Sequence, residues 1–323
     1  MIKKIDEIKH LIGNTPMRIA NVMNIKLGIK LEFLNLFGSI KDRPAFNIIY
    51  HGIKNGQIGP RTTIVESSSG NLAISLANIC KHLGLNFIPV VDPNINSGYL
   101  QLLQVLCTEV VTVYDKDITD GYLINRINKV ESICSEIQDA FWTNQYGNPY
   151  NYLSYYHGLA NEVLAEAPEM THFFIAVSSA GTLAGISRRL KEVQPGIKII
   201  AVDIEGSVIF NQQPKSRYIS GLGSSIVPPL LSHALYDEVI HVTHEEIIAG
   251  CKSLYNDTLI FGGGSAGASY SAIKKYFSLH IPDKDPFVIM CCPDRGNGYT
   301  NTIYNKDWCY KTKTEDIHYA VLK

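Results

Sequence analysis

"TTIVESSSGNLAISLANICKHLGLNFIPVV", Thr62 to Val91, switches period twice. A short apolar run with β-branched residues, TTIVE, gives way to a segment of helical period, NLAISLANICKHL. A second apolar run, NFIPVV, follows. Two strands joined through a helix are parallel, because the crossover returns the chain in its first direction. The same alternation continues downstream: YLQLLQVL, VVTVY, GYLINRINKVESICSEI, then HFFIAV before GTLAGISRRLKEV, and KIIAVDI. TLIFGGG leading into SAGASYSAIKKYF reads as one more strand and helix, and FVIMCCP closes the series. The pattern predicts parallel sheets covered by helices, with ligands held in the loops beyond the strands' carboxyl ends. NQYGNPYNY, near residue 148, is the expected crossing between two lobes.

The bulk properties narrow the function. At 323 residues the chain is long enough for two packed lobes. With 29 basic and 30 acidic residues and no basic run, it has no electrostatic footprint for nucleic acid. MIKKIDEIKH is too charged for a secretory leader, and no apolar run is of membrane-spanning length. The seven cysteines are scattered without a C-x-x-C, which fits free thiols in the cytoplasm rather than a disulfide frame or a zinc site. No metal is expected.

Five loops carry the chemistry. In GSIKDRPA, Gly38 to Ala45, Asp42 and Pro44 suit the start of a helix. Lys41 does not, because the positive end of the helix dipole disfavours its ammonium. A lysine held there loses its proton more easily, as a Schiff-base or general-base lysine must. ESSSGN, Glu66 to Asn71, offers hydroxyls, an amide and backbone donors to an anion at a helix N-terminus. SSAGTLAG, Ser178 to Gly185, has the small residues and hydroxyls of a phosphate cradle but matches neither a P-loop nor a G-x-G-x-x-G turn. FGGGSAG, Phe261 to Gly267, lets backbone approach a flat ligand, with Ser265 opening the next helix. In CCPDRGNGY, Cys291 to Tyr299, Asp294 and Arg295 read as solvated. A phosphate cradle, a carboxylate cradle, a hydroxyl on a helix N-terminus and a lysine together match pyridoxal 5′-phosphate with an α-amino acid.

With these motifs in this order, from IGNTPM to PDRGNGY, the chain resembles the cysteine synthase and cystathionine β-synthase family of fold type II pyridoxal-phosphate enzymes. The resemblance implies a two-lobed α/β fold, tryptophan synthase β-like, each lobe a mostly parallel sheet covered by helices. It implies a smaller mobile lobe over 42–148, a larger cofactor-binding lobe over 1–41 and 149–323, and a homodimer. Lys41 would carry the cofactor as an aldimine and move the substrate's Cα proton, and Asn71 would meet the cofactor's 3′ oxygen. Ser178, Ser179, Ala180, Gly181 and Thr182 would hold its phosphate, and Ser265 its ring nitrogen. Ser67, Ser68, Ser69 and Gln145 would take the substrate carboxylate.

Leu36, Leu72, Ser178 and Ala180 depart from the plain cysteine synthase pattern and suggest a nucleophile larger than sulfide. KDRPA, ESSSGNL, VVDP, YLINRINKV, NQY, YYHG, GSVIF and PDRG are similar to the N-(2-amino-2-carboxyethyl)-L-glutamate synthase branch. Those enzymes join an O-activated L-serine to L-glutamate, toward 2,3-diaminopropionate for siderophores. Arg126 lies at the edge of an apolar stripe of Leu123, Ile127, Val130, Cys134 and Ile137, where it could meet a dicarboxylate beside Tyr146 and Ser179. Arg217 lies just upstream of GLGSSIVP, a loop with no cation of its own. Sulfide or a thiol as nucleophile, and a non-catalytic cofactor-binding protein, are the alternatives.

Overall fold

A computed structural model describes residues 1–280 and 286–309. Residues 281–285 and 310–323 of the expected larger lobe lie outside the described residues. The strands are β1 (Met17–Val22), β2 (Ile25–Leu31), β3 (Thr63–Ser67), β4 (Asn86–Val91), β5 (Val111–Thr112), β6 (Ala140–Trp142), β7 (His172–Ala176), β8 (Lys198–Ile204), β9 (Glu238–Val242) and β10 (Phe287–Cys292). The α-helices are α1 (Ile2–Lys9), α2 (Asp42–Lys54), α3 (Asn71–Leu83), α4 (Ser97–Leu106), α5 (Leu123–Glu136), α6 (Pro149–Ser154), α7 (Ala160–Glu166), α8 (Gly181–Val193), α9 (His244–Thr258) and α10 (Gly264–Leu279).

Two sheets form. The larger runs β1-β2-β10-β7-β8-β9 and the smaller β5-β4-β3-β6. Among the described residues every strand pairing is parallel except β1 with β2, which a tight turn joins. The fold is the two-sheet α/β class that the strand–helix alternation predicts. β3, β4 and β10 are buried almost throughout because helices or neighbouring segments cover both faces, so they read as continuous apolar runs.

The apolar clusters follow the sheets. One side of the larger sheet packs Phe174, Val202 and Met290 against α9 and α10 through Leu254 and Ile273. The opposite side packs Phe173, Ile199 and Ile289 against α8 through Leu183 and Ile186. A third cluster joins Ile5 and Ile8 of α1 to α2, α3 and the smaller sheet through Ile49, Leu76 and Phe87. Val130 and Ile133 of α5 cover the other face of that sheet.

One expected strand is absent. In TLIFGGG, Thr258 still belongs to α9, Leu259 takes a left-handed conformation, and only Gly262 forms an isolated bridge, with Arg295. β10 is already flanked by β2 and β7, so this segment has no free edge to join. It packs instead on the turn after β10, where Phe261 O accepts from Gly296 N at 2.9 Å.

Candidate active site

Each candidate loop lies where a strand or connection delivers a helix to the space between the sheets. β3 ends at Ser67 and α3 begins at Asn71; β7 ends at Ala176 and α8 begins at Gly181. Lys41 is the residue immediately before α2, with Asp42 in the first turn. Ser265 is the second residue of α10. The result is a cleft of about 700 Å³ lined by Lys41, Ser67, Ser68, Ser69, Asn71, Arg126, Gln145, Tyr146, Ser178, Ser179, Ala180, Thr182 and Ser265. Gly181 is not among the lining residues, but its position is tightly constrained. A Cβ there would sit 2.2 Å from Asn151 Oδ1, so glycine lets α6 pack against the start of α8.

Burial in the cleft lowers the Lys41 pKa to about 8, with the Asp294 carboxylate opposing the shift. The direction is the one its place at a helix start suggests, but loss of water is the larger cause. Lys41 N donates to Ser39 Oγ at 3.1 Å, and Asp42 accepts from Phe37 N at 2.7 Å and Ser75 Oγ at 2.5 Å. These bonds fix the loop on both sides of the lysine.

Asp294, read from sequence as solvated, is only 4% exposed. Its Oδ2 accepts from Asn71 Nδ2 at 2.7 Å and from Tyr299 Oη at 2.7 Å. Asn71 Oδ1 in turn accepts from Tyr99 Oη at 2.8 Å. The Asn71 amide is therefore oriented from both ends, with one N–H of Nδ2 still free. Asp294 Oδ1 is buried without a partner among the described residues, and a side chain at Gly263 would strike it at 2.1 Å. Burial raises the Asp294 pKa against the pull of Tyr299, Asn71 and Lys41. Arg295 is exposed, as expected, with its guanidinium 4.2 Å from the centre of the Phe33 ring.

The serine loop is partly committed. Ser69 Oγ donates to Asp92 Oδ2 at 2.9 Å and accepts from Arg126 Nη1 at 2.8 Å. Ser67 Oγ is buried with no partner among the described residues. Gln145 Nε2 donates to Ser67 O at 3.0 Å, and its backbone N–H reaches Glu66 Oε2 at 3.2 Å. Ser265 Oγ has one long bond, 3.5 Å to Gly221 O. Arg126 leans into the cleft but is not a free cation: its Nη1 is 3.1 Å from Asp92 Oδ2, while its Nε is buried without a partner. Burial pushes the Tyr146 phenol up to about 12 against the charges of Arg126 and Arg217. Asp92, Tyr99, Tyr299 and Asp294 are among the cleft residues to which sequence reasoning assigned no role, and Arg217, noted there only as lying upstream of GLGSSIVP, lines the cleft as well. The PDRG and VVDP motifs did place two of the acids in post-strand loops.

The comparisons with known proteins now bear on this cleft. The family model for pyridoxal-phosphate dependent enzymes matches residues 8–292. The chain belongs to that family. The structure of an O-acetylserine dependent cystathionine beta-synthase from Helicobacter pylori superposes with a TM-score of 0.85 at 30% identity, covering 94% of this chain and 99% of that one. A hydrogen sulfide-producing enzyme from Fusobacterium nucleatum gives 0.83 at 27% identity, covering 91% and 98%. An O-ureido-L-serine synthase shares the fold, with a TM-score of 0.83 at 23% identity over 92% and 94% of the two chains.

The family's cofactor is pyridoxal phosphate, and the residues present fit it. The first N–H groups of α8 have no acceptor within their own helix, which suits a phosphate. Unpartnered polar atoms at Ser67 and Asp294 lie in residues lining the same cleft as Lys41, Asn71 and Ser265.

Proposed function

We propose that this enzyme performs β-replacement on an O-activated L-serine, with the amine of L-glutamate as nucleophile, giving N-(2-amino-2-carboxyethyl)-L-glutamate. Pyridoxal phosphate, when bound, supplies the electron sink for loss of the Cα proton and the Cβ leaving group. Lys41 holds the cofactor and moves that proton, with an amine pKa of about 8 suited to both states near neutrality. Asn71 meets the 3′ oxygen, Ser178 to Thr182 the phosphate, and Ser265 the ring nitrogen. Ser265 offers a neutral hydroxyl rather than a carboxylate, which favours elimination over chemistry needing a long-lived carbanion. Ser67, Ser68, Ser69 and Gln145 orient the α-carboxylate, and the lobe over 42–148 closes on the substrate.

The observation that carries the choice of glutamate is the cationic, phenol-bearing wall of Arg126, Tyr146 and Arg217, which sulfide would not need. Arg126 serves glutamate through donors not spent on Asp92, a charged hydrogen bond contributing about 1.5–3 kcal/mol. Activated serine alone is expected to give the spectral change in both wild type and Arg126→Ala, slowed in the variant only through the lost bond to Ser69, because that half-reaction precedes glutamate. Reversal of the change by glutamate should slow about tenfold to a hundredfold in the variant. Equal reversal rates would remove Arg126 from the reading. A wild type that responds to sulfide but ignores glutamate would remove glutamate. A sulfur nucleophile is the second reading, favoured by the activities named for the Helicobacter and Fusobacterium relatives.

A further inference from the structure

Among the described residues, four cationic side chains besides Lys41 line the cleft: Lys116, Arg126, Lys215 and Arg217. Three have a carboxylate of their own. Lys116 lies 2.7 Å from Asp120, Arg126 3.1 Å from Asp92, and Lys215 3.7 Å from Glu205. Lys41 faces the charge of Asp294. Arg217 is different: among the described residues it forms no ion pair within 4 Å.

Asp203 and Asp117 act on its charge only from beyond ion-pair distance. Asp203 is fully buried, and its Oδ2 has no partner. Asp117 already accepts from Thr119 N at 2.9 Å, Thr119 Oγ1 at 2.5 Å and Ile124 N at 2.9 Å. The guanidinium is nevertheless held firmly. Nη1 donates to Gly206 O at 2.6 Å and Nη2 to Ser225 Oγ at 2.9 Å. Both partners are neutral, so they set its orientation without cancelling its charge. Several N–H groups of the five-donor fork remain for a ligand.

Its location matters as much as its charge. Ser216 Oγ donates to Asp120 Oδ2 at 2.8 Å, joining the segment that carries Arg217 to the 115–122 turn of the smaller-sheet side. A Cβ at Gly121 would come within 3.1 Å of Ser225 Oγ, the hydroxyl that holds Arg217. Tyr146 feels the charges of both Arg126 and Arg217. Arg217 is thus a half-buried, pre-oriented cation with no carboxylate in direct contact among the described residues, at the seam where the two sides of the cleft meet. Such a charge costs stability unless a counter-charge arrives, and a guanidinium fork matches a carboxylate or phosphate.

We propose that Arg217 binds a second oxyanion of the amino-acid substrates, one beyond the α-carboxylate, in the cleft beside Tyr146. The inference rests on the β-replacement reading. Two substrate groups have this chemistry: the phosphate of O-phospho-L-serine as leaving group, and the side-chain carboxylate of L-glutamate as acceptor.

The test uses the cofactor-loaded enzyme as wild type, Arg217→Gln and Arg217→Lys. Each is given O-phospho-L-serine or O-acetyl-L-serine alone, then L-glutamate or sulfide, with each half-reaction followed by absorbance. If the anion is the leaving group, Arg217→Gln loses about ten- to a hundredfold in kcat/KM with phosphoserine and little with acetylserine. If it is the acceptor's carboxylate, the same loss appears with glutamate and not with sulfide. Arg217→Lys keeps the charge without the fork and should fall between wild type and Arg217→Gln. Uniform losses across all four compounds would mean that Arg217 only holds its loop, and no loss would mean that it does nothing; either overturns the proposal. A wild type acting solely on acetylserine and sulfide overturns it as well. Phosphoserine turnover with sulfide alone, lost on Arg217→Gln, would keep Arg217 while removing glutamate.

Discussion

At Asp294 one carboxylate oxygen accepts from both Asn71 and Tyr299 while the other is buried bare. The residue orients the amide assigned to the cofactor and sets the electrostatics of Lys41 from the same position. Removing its charge while keeping its shape separates these effects. In Asp294→Asn the Lys41 amine loses the carboxylate charge that opposes its burial, so its pKa falls further. Capture of added cofactor needs the neutral amine, so its pH midpoint should move to lower pH, by up to about one unit. An unmoved midpoint would show that Asp294 does not act on Lys41. For Lys41 itself, Lys41→Ala should stay folded yet retain no cofactor after borohydride reduction, measured by the mass of the intact protein. Cofactor retained on another lysine would end the assignment. That Lys41, Asn71 and Ser265 would line one cleft was legible because each lies at the junction of a short, unusual loop with a helix. Asp294 was not, because its burial depends on Tyr299, Asn71 and the close approach of Gly263, which no local pattern reports.

At the scale of elements, the helix that follows Lys41 is anchored by charge. Arg43 grips Glu32 through Nε at 2.6 Å and Nη2 at 2.9 Å, and Glu162 through Nη1 at 2.7 Å and Nη2 at 2.8 Å. Lys30 lies 3.0 Å from Glu162 and 2.7 Å from Glu166, and also donates to Thr15 O. The network ties β2, the turn after it, α2 and α7 into one block, and the Arg43 and Glu32 side chains are 4% and 0% exposed. A buried network of this kind adds little over an apolar core but is costly to break, because the partners left behind stay charged and dry. Arg43→Met should therefore destabilise the protein by about 3–5 kcal/mol in denaturant titration. Arg43→Lys should recover only part of that, since an ammonium cannot fork to two carboxylates at once. A loss under about 1 kcal/mol for Arg43→Met would show that the pairs are not coupled as the distances imply. The period-3.6 segments were legible to within a few residues: α3 and α8 have the expected bounds. The ion network was not, because Arg43 and Glu162 are 119 positions apart. TLIFGGG failed for a related reason: its apolar character suits a strand, but the sheet has no open edge beside β10.

For the whole molecule, the balance of buried titratable groups decides how stability varies with pH. Burial raises the Glu66 pKa to about 7, against hydrogen bonds from Thr143 and Gln145, and raises Asp42 and Asp203 to about 6 each. A carboxyl raised in the folded state binds protons there that the unfolded chain has already lost. Its contribution is therefore fully present at low pH and declines as pH rises through the folded value. Other groups act in the opposite sense, among them Lys41, whose lowered value of about 8 adds stability as pH rises past about 7. His172 is lowered to about 4, chiefly by burial, so its contribution grows with pH and is complete near its ordinary value of 6.5. Glu162 is lowered to about 2 despite its burial, by Arg43 and Lys30, and matters only in acid. Between about pH 6.5 and 7.5 Glu66 therefore dominates the slope, and wild-type stability should fall over that range. Glu66→Gln removes the titration and keeps an acceptor for Thr143, so its stability should be flatter there and exceed that of wild type above pH 8, by about 1–3 kcal/mol. Urea titrations of both proteins at pH 5, 6.5 and 8 measure the difference directly. Parallel curves, with the variant offset by the same amount at every pH, would mean that Glu66 stays ionised in the folded protein and that the Thr143 and Gln145 bonds outweigh its burial.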